Sequence, residues 1–139
     1  MTNHDFDILA RTLYGEARGE YGTVGVSAFI AVGNVILNRI KSHKKYGLTI
    51  TEVCLKPRQF SCWNEGDPNR SLIQEEDLEK DPLFRMTKTV AKKVALNLWP
   101  DITRGSDHYH ATSVKPYWAR ASKVQIRLGK HVFYKLSDQ

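Results

Sequence analysis

Residues 23–41, TVGVSAFIAVGNVILNRIK, place apolar side chains on nearly every side of a helical wheel, and this constrains the fold more than any other stretch. A helix that is apolar all round has to run through the middle of a domain, with other elements packed on several of its faces. Its short polar residues Thr23, Ser27, Asn34 and Asn38 share a narrow sector, where they either line a cleft or are hydrogen-bonded inside the core. Ser27, Gly33 and Asn34 interrupt the run, so it does not read as a membrane span. A central helix in a single domain spanning 1–139 is the expectation, because 139 residues with 41% hydrophobic content suffice for one core and no linker, repeat or low-complexity tract divides them.

Two further helices are expected around it. The first runs from about Asn3, as N-cap, to about Arg18, with Gly19 as the stop, and Phe6, Leu9, Ala10, Leu13 and Ala17 form its apolar face. A strand or short helix follows Tyr46-Gly47, and KPRQFSCWNEGDPNR reads as an irregular loop. Asp81-Pro82 is an N-cap and first-turn pair for another helix, in which Leu83, Met86, Val90, Ala91, Val94 and Leu98 keep helical spacing up to Trp99-Pro100. HYHAT, KVQIRL and HVFYKL read as strands, the last two joined in a hairpin around Gly129-Lys130. The fold class is therefore α+β, helix-dominated, with a short antiparallel sheet at the C-terminal end.

Composition narrows the partners without choosing one. Lys and Arg number 21 against 15 Asp and Glu, a formal charge of +6 that favours polyanions. The cations are scattered, and no helix-turn-helix, zinc-finger or RNP signature accompanies them, so nucleic acid is not the expected partner. Cys54 and Cys62 fit neither a metal knuckle nor a disulfide framework and read as free buried thiols. His108, His110 and His131 lack a zinc-binding spacing, Asp107 and His110 lack a GxSxG elbow, and QEEDLEKD at 74–81 lacks EF-hand spacing, so neither metal nor cofactor is expected. The N-terminal MTNHDFD has no basic n-region or apolar h-region, which predicts synthesis in the cytoplasm without a visible secretory signal.

The segment LYGEARGE, residues 13–20, places Glu16 near a helix end on the flank of the Leu9–Leu13 stripe. Glycoside cleavage needs a carboxylic acid that keeps its proton until it meets the glycosidic oxygen, and the edge of an apolar core suits that role. A solvated surface carboxylate is the competing reading. Glu20, four residues on, is either a second functional carboxylate or a cap of the turn. The aromatics Tyr14, Phe60, Trp63, Tyr109, Tyr117, Trp118 and Phe133 lie near glycines, prolines and polar residues, which suits a saccharide groove as well as core packing.

These blocks resemble the cell-wall hydrolases related to spore cortex-lytic enzymes, which occur in bacteria and phages. The resemblance is carried by ARTLYGEARGE at 10–20, VILNRI at 35–40, RQFS at 58–61 with Trp63, HYHAT at 108–112, Trp118 and GKHVFY at 129–134. It implies a small fold similar to lysozyme and the lytic transglycosylases, acting without a cofactor on the β-1,4 bond between N-acetylmuramic acid and N-acetylglucosamine. Glu16 matches the family's catalytic Glu. One carboxylate would protonate the leaving oxygen and then act as base on the muramic acid C6 hydroxyl, giving a 1,6-anhydro sugar; the alternatives are a muramidase-type hydrolase using two carboxylates and a non-catalytic basic wall- or nucleic-acid-binding module. Gln59, Tyr109, His110 and Thr112 are the residues expected to hold acetamido and hydroxyl groups, and Tyr14, Glu20, Phe60, Trp63 and Trp118 complete the substrate-binding set. Peptidoglycan glycan strands are the expected partner of a monomer acting on the cell wall, either as a phage lysin or with the help of other proteins for export.

Overall fold

The computed structural model describes residues 1–42 and 45–137. Its elements in chain order are α1 (Asn3–Ala17), α2 (Tyr21–Val24), α3 (Ser27–Ile40), α4 (Ile50–Leu55), α5 (Pro68–Ile73), α6 (Pro82–Ala95) and strands β1 (His108–Ala111), β2 (Val124–Leu128) and β3 (His131–Tyr134). This is the expected helix-dominated α+β architecture with a small antiparallel sheet. No helix among the described residues is long and apolar enough to cross a membrane.

The apolar helix occupies the centre, but it is shorter than its sequence suggests. Gly25 adopts φ +65°, a left-handed conformation open to glycine, and this breaks the expected 23–41 helix so that α3 begins at Ser27. Along α3, Ala28, Phe29, Val32 and Ile36 join the main core with α1, α4 and α6, while Ala31 and Val35 meet Phe133 of the sheet. The polar stripe is satisfied internally where it is deepest. Asn34 Oδ1 accepts from the Ile102 amide at 3.1 Å, and the Asn38 amide donates to Asp101 at 2.8 Å and to the Ser106 carbonyl at 2.9 Å.

Helix α1 starts one residue earlier than the Asn3 cap implies. Thr2 is the N-cap, its hydroxyl accepting from the Asp5 amide at 3.0 Å while Asp5 Oδ2 accepts from the Thr2 amide at 3.1 Å. Asp5 Oδ1 also takes the Thr51 hydroxyl at 2.6 Å and its amide at 3.1 Å, which ties the start of α1 to α4. At the other end Gly19 does not stop the chain, which continues through a 3-10 turn, Arg18–Glu20, into α2.

The segment read as irregular contains α5, capped by Asp67, whose side chain accepts from Asn69, with Pro68 in its first turn. Helix α6 begins at the Asp81 cap, as its sequence indicates, but ends at Ala95 before Asn97 turns to φ +59°. Leu98 lies past that end and is 64% exposed, and Met86 is 39% exposed off the buried face, on which Phe84 and Thr87 join the expected Val90, Ala91 and Val94. The sheet order is β1-β3-β2, with β3 buried along its length and Tyr109 opposite Phe133 across the ladder.

Candidate active site

Glu16 lies in the last turn of α1, where Gly15 lets the helix press against the segment 61–63. A Cβ on Gly15 would stand 2.8 Å from Cys62 Cβ and 3.0 Å from its Sγ. That close approach brings the Cys62 amide to Glu16 Oε2 at 3.0 Å, with the Ser61 hydroxyl farther off at 3.4 Å. The other oxygen, Oε1, accepts from the Tyr109 hydroxyl of β1. Both carboxylate oxygens are thus held by donors from segments 45 to 93 residues away in the chain.

A groove of about 380 Å³ opens beside this carboxylate, lined among others by Glu16, Arg39, Gln59, Tyr109, His110 and His131. Glu16 is the one carboxylate residue in that lining among the described residues. Burial, followed by the nearby Glu16 carboxylate, raises the Tyr109 phenol well above its ordinary range, so it remains a donor at neutral pH. Its ring is fixed by stacking on Phe133, with centroids 5.5 Å apart, and lies 5.0 Å from the His131 ring. Burial lowers His131 below the usual histidine value by more than the Glu20 and Glu16 carboxylates raise it, which leaves a neutral ring at the groove wall.

Arg39, 5% exposed, is a cation inside the α3 packing. Burial lowers it from its ordinary value, yet a guanidinium stays ionised at neutral pH. It donates to the Asp107 carbonyl at 2.7 Å and to Gln59 Oε1 at 2.9 Å, and it lies over the rings of Phe60 and Tyr46. With the Gln59 oxygen turned to Arg39, the amide assignment leaves the Gln59 NH₂ as the free donor.

His110 donates from Nδ1 to its neighbour's carbonyl, Ala111 O, at 2.7 Å, and its Nε2 lies 2.9 Å from the Tyr134 hydroxyl. Trp118 packs edge-on against His108, His110 and Tyr134 and supports this histidine without lining the groove. Of the expected substrate contacts, Gln59, Tyr109 and His110 converge with Glu16.

The other expected residues lie elsewhere. Tyr14 is 4% exposed, and its hydroxyl donates to Asp81 at the start of α6; burial and that carboxylate push the phenol up to about 12. Phe60 is 1% exposed beneath Arg39, and Trp63 donates its indole N–H to the Thr12 hydroxyl at 2.8 Å, so both anchor the segment that carries Gln59 and Cys62. Glu20 accepts from the Lys130 amide at 2.6 Å and clamps the β2–β3 hairpin. Thr112 belongs to a neighbouring groove. Asp107 is 1% exposed and holds the C-terminal segment: burial raises its carboxyl, but the His108 ring, the Leu136 amide and the Ser137 hydroxyl and amide together keep it far below the usual range.

Arg39 and His131 were not among the expected contacts. An arginine on a helix that is otherwise apolar all round is the signal that marks Arg39, because a buried cation has to be matched by acceptors. For His131 the strand pattern carries no comparable signal. Cys54 and Cys62 are free and buried, and burial pushes the Cys54 thiol up to about 12 and the Cys62 thiol higher still, so neither is a nucleophile.

Comparison with known proteins places this arrangement among related chains. The profile of the cell wall hydrolases matches residues 25–134. The spore cortex-lytic enzyme of Bacillus cereus is 26% identical over 139 residues, an alignment that takes in 96% of this chain and 45% of that protein. The spore cortex-lytic enzyme of Oceanobacillus iheyensis is 25% identical over 134 residues, covering 96% of this chain and 42% of that protein. The chain therefore spans less than half the length of these relatives. Among solved structures, the catalytic domain of the germination-specific lytic transglycosylase SleB from Bacillus anthracis superposes with a TM-score of 0.73 at 26% identity, covering 97% of each chain. The catalytic domain of the Bacillus cereus SleB protein gives 0.73 at 25% identity, over 96% of this chain and 91% of that one.

Proposed function

The chain belongs to the cell wall hydrolase family, and on that premise we propose that it cleaves the β-1,4 bond between N-acetylmuramic acid and N-acetylglucosamine in peptidoglycan, as a lytic transglycosylase. The observation that carries this reading is a groove whose lining contains, among the described residues, one carboxylate, Glu16, held on both oxygens. A hydrolase of the two-carboxylate kind sets a second Asp or Glu across the cleft to activate water or attack the sugar. Of the candidates for such a second group, Asp107, Glu20 and Glu65 are respectively buried, bonded to the hairpin and outside the groove lining.

In the proposed reaction protonated Glu16 gives its proton to the glycosidic oxygen as the bond from that oxygen to C1 of muramic acid breaks. The resulting Glu16 carboxylate takes the proton of the C6 hydroxyl, and O6 closes onto C1. Glu16 ends protonated, and no water is consumed. Attack from within the same sugar has a high effective molarity, which removes the need for a positioned water. Tyr109 and the Cys62 amide hold the carboxylate toward the groove, while the Gln59 NH₂ is oriented by Arg39 to receive an acetamido carbonyl.

Digestion of purified peptidoglycan followed by mass spectrometry tests the proposal. Fragments should be lighter than hydrolytic muropeptides by one water, and borohydride should leave their muramic acid ends unchanged. Reducible ends carrying labelled oxygen from solvent water would mean hydrolysis instead.

A further inference from the structure

A second groove lies on the opposite face of the sheet and meets the first at His110, which lines both. The register sets His110 of β1 opposite Val132 of β3, and Val132 opposite Arg127 of β2, so the three side chains form one cross-strand row. The crossing from β1 to β2 folds over this row and contributes Lys115, Pro116, Ala119 and Arg120, enclosing about 280 Å³.

Charge in this part of the chain is one-sided. Residues 108–137 contain six Lys and Arg and no Asp or Glu, while the remaining fifteen cations are matched by the chain's fifteen carboxylates. The whole formal excess of +6 therefore resides in the segment that builds the sheet and this groove. The scatter of cations along the sequence conceals this, because it is the missing carboxylates that create the field. Lys115, Arg120 and Arg127 are exposed, and among the described residues none of them makes an ion pair. Unpaired like charges around a concave surface focus a positive potential into it.

We propose that this groove binds the carboxylates of the peptide stem borne by muramic acid while the glycan lies beside Glu16, so that the protein favours stem-bearing strands. The inference rests on the peptidoglycan reading above and names the feature of the substrate that the second groove selects. The stem is attached to the same sugar whose C1 reacts at Glu16, and His110 is where a substituent of that sugar passes from one groove to the other. Such a stem is a short acidic peptide with alanyl methyl groups. Arg120 and Arg127 offer guanidinium forks suited to carboxylates, Lys115 adds a third cation, and Pro116, Ala119 and Val132 form an apolar floor for the methyls. An anionic phosphodiester polymer of the wall would satisfy the cations but leave that floor unused.

The test measures binding rather than turnover, so it is independent of whether the glycan is cut. Protein carrying Glu16→Gln is sedimented with peptidoglycan freed of teichoic acid, before and after the carboxylates are converted to amides with carbodiimide and ammonia. Amidation should weaken binding by ~10-fold, the order that three partly exposed charge contacts supply together. Adding Lys115→Gln, Arg120→Gln and Arg127→Gln should reduce binding to the native material to the amidated level and abolish the discrimination. A triple Lys80→Gln, Lys92→Gln, Lys93→Gln of equal net charge should retain it. The proposal is overturned if amidation has no effect, if the control triple loses discrimination as fully as the groove triple, or if tight binding requires teichoic acid. A protein that discriminates but never cleaves glycan would remove the enzymatic reading and leave the groove assignment standing.

Discussion

At the scale of single residues, the Glu16 carboxylate is oriented by a backbone amide and by a phenol that keeps its proton at neutral pH. Tyr109 donates to Oε1, and its ring is held in the sheet by Phe133. Tyr109→Phe keeps the ring and removes only the donor. Turnover on peptidoglycan should fall by about 10- to 100-fold, as expected for losing a hydrogen bond to a charged group, with the melting temperature little changed. A large loss of stability would instead assign the hydroxyl a role in folding. Asp5 illustrates the same economy of donors at a structural position, since the Thr51 hydroxyl first, and then the Thr2 amide, hold its carboxyl down at about 2. Asp5→Asn should cost about 1–2 kcal/mol, typical of a cap whose charged acceptor is lost, measured by denaturant unfolding at neutral pH.

At the scale of elements, the groove depends on how closely α1 approaches the segment 61–63. Gly15→Ala introduces a Cβ 2.8 Å from Cys62 Cβ and 3.1 Å from Ile73 Cγ2, both in buried side chains. Overpacking of this kind costs about 1–3 kcal/mol, and displacement of the Cys62 amide from Glu16 should lower activity as well; thermal unfolding and a turnover assay read the two effects separately. Local signals explain which elements were legible in the sequence. Helices α1 and α6 announce themselves by apolar spacing and by the Asp81-Pro82 start, and the β2–β3 hairpin by alternation around Gly129-Lys130. Helix α5 has only six residues, and its Asp67-Pro68 start lies among loop-forming residues. The aromatics show the limit of such reading most clearly. Tyr14 and Tyr109 look equally suited to a sugar, but only the fold decides that Tyr14 points to Asp81 and that Tyr109, 93 residues from Glu16, meets it.

At the scale of the whole molecule, the fold separates a nearly charge-balanced helical part from a cationic sheet, and the Glu16 carboxylate lies at the groove between α1 and β1. Acid stability follows from one buried carboxylate in each part, Asp5 tying α1 to α4 and Asp107 holding the C-terminal segment beside the sheet. Asp5 and Asp107 both have carboxyls held below the ordinary value in the folded state, so their stabilisation is complete above about pH 4 and is lost as pH falls toward 2. Unfolding monitored from pH 6 to pH 2 should steepen across that window, and Asp5→Asn should flatten part of the slope. The central claim, that Glu16 is the acid and base of a glycan-cleaving site, is tested most directly by the turnover of Glu16→Gln on purified peptidoglycan beside its melting curve. The near-isosteric amide cannot supply a proton, so turnover should fall by at least ~100-fold while the fold remains intact. Near-wild-type turnover by Glu16→Gln, with Glu20→Gln inactive, would contradict the assignment and move the chemistry to the other carboxylate.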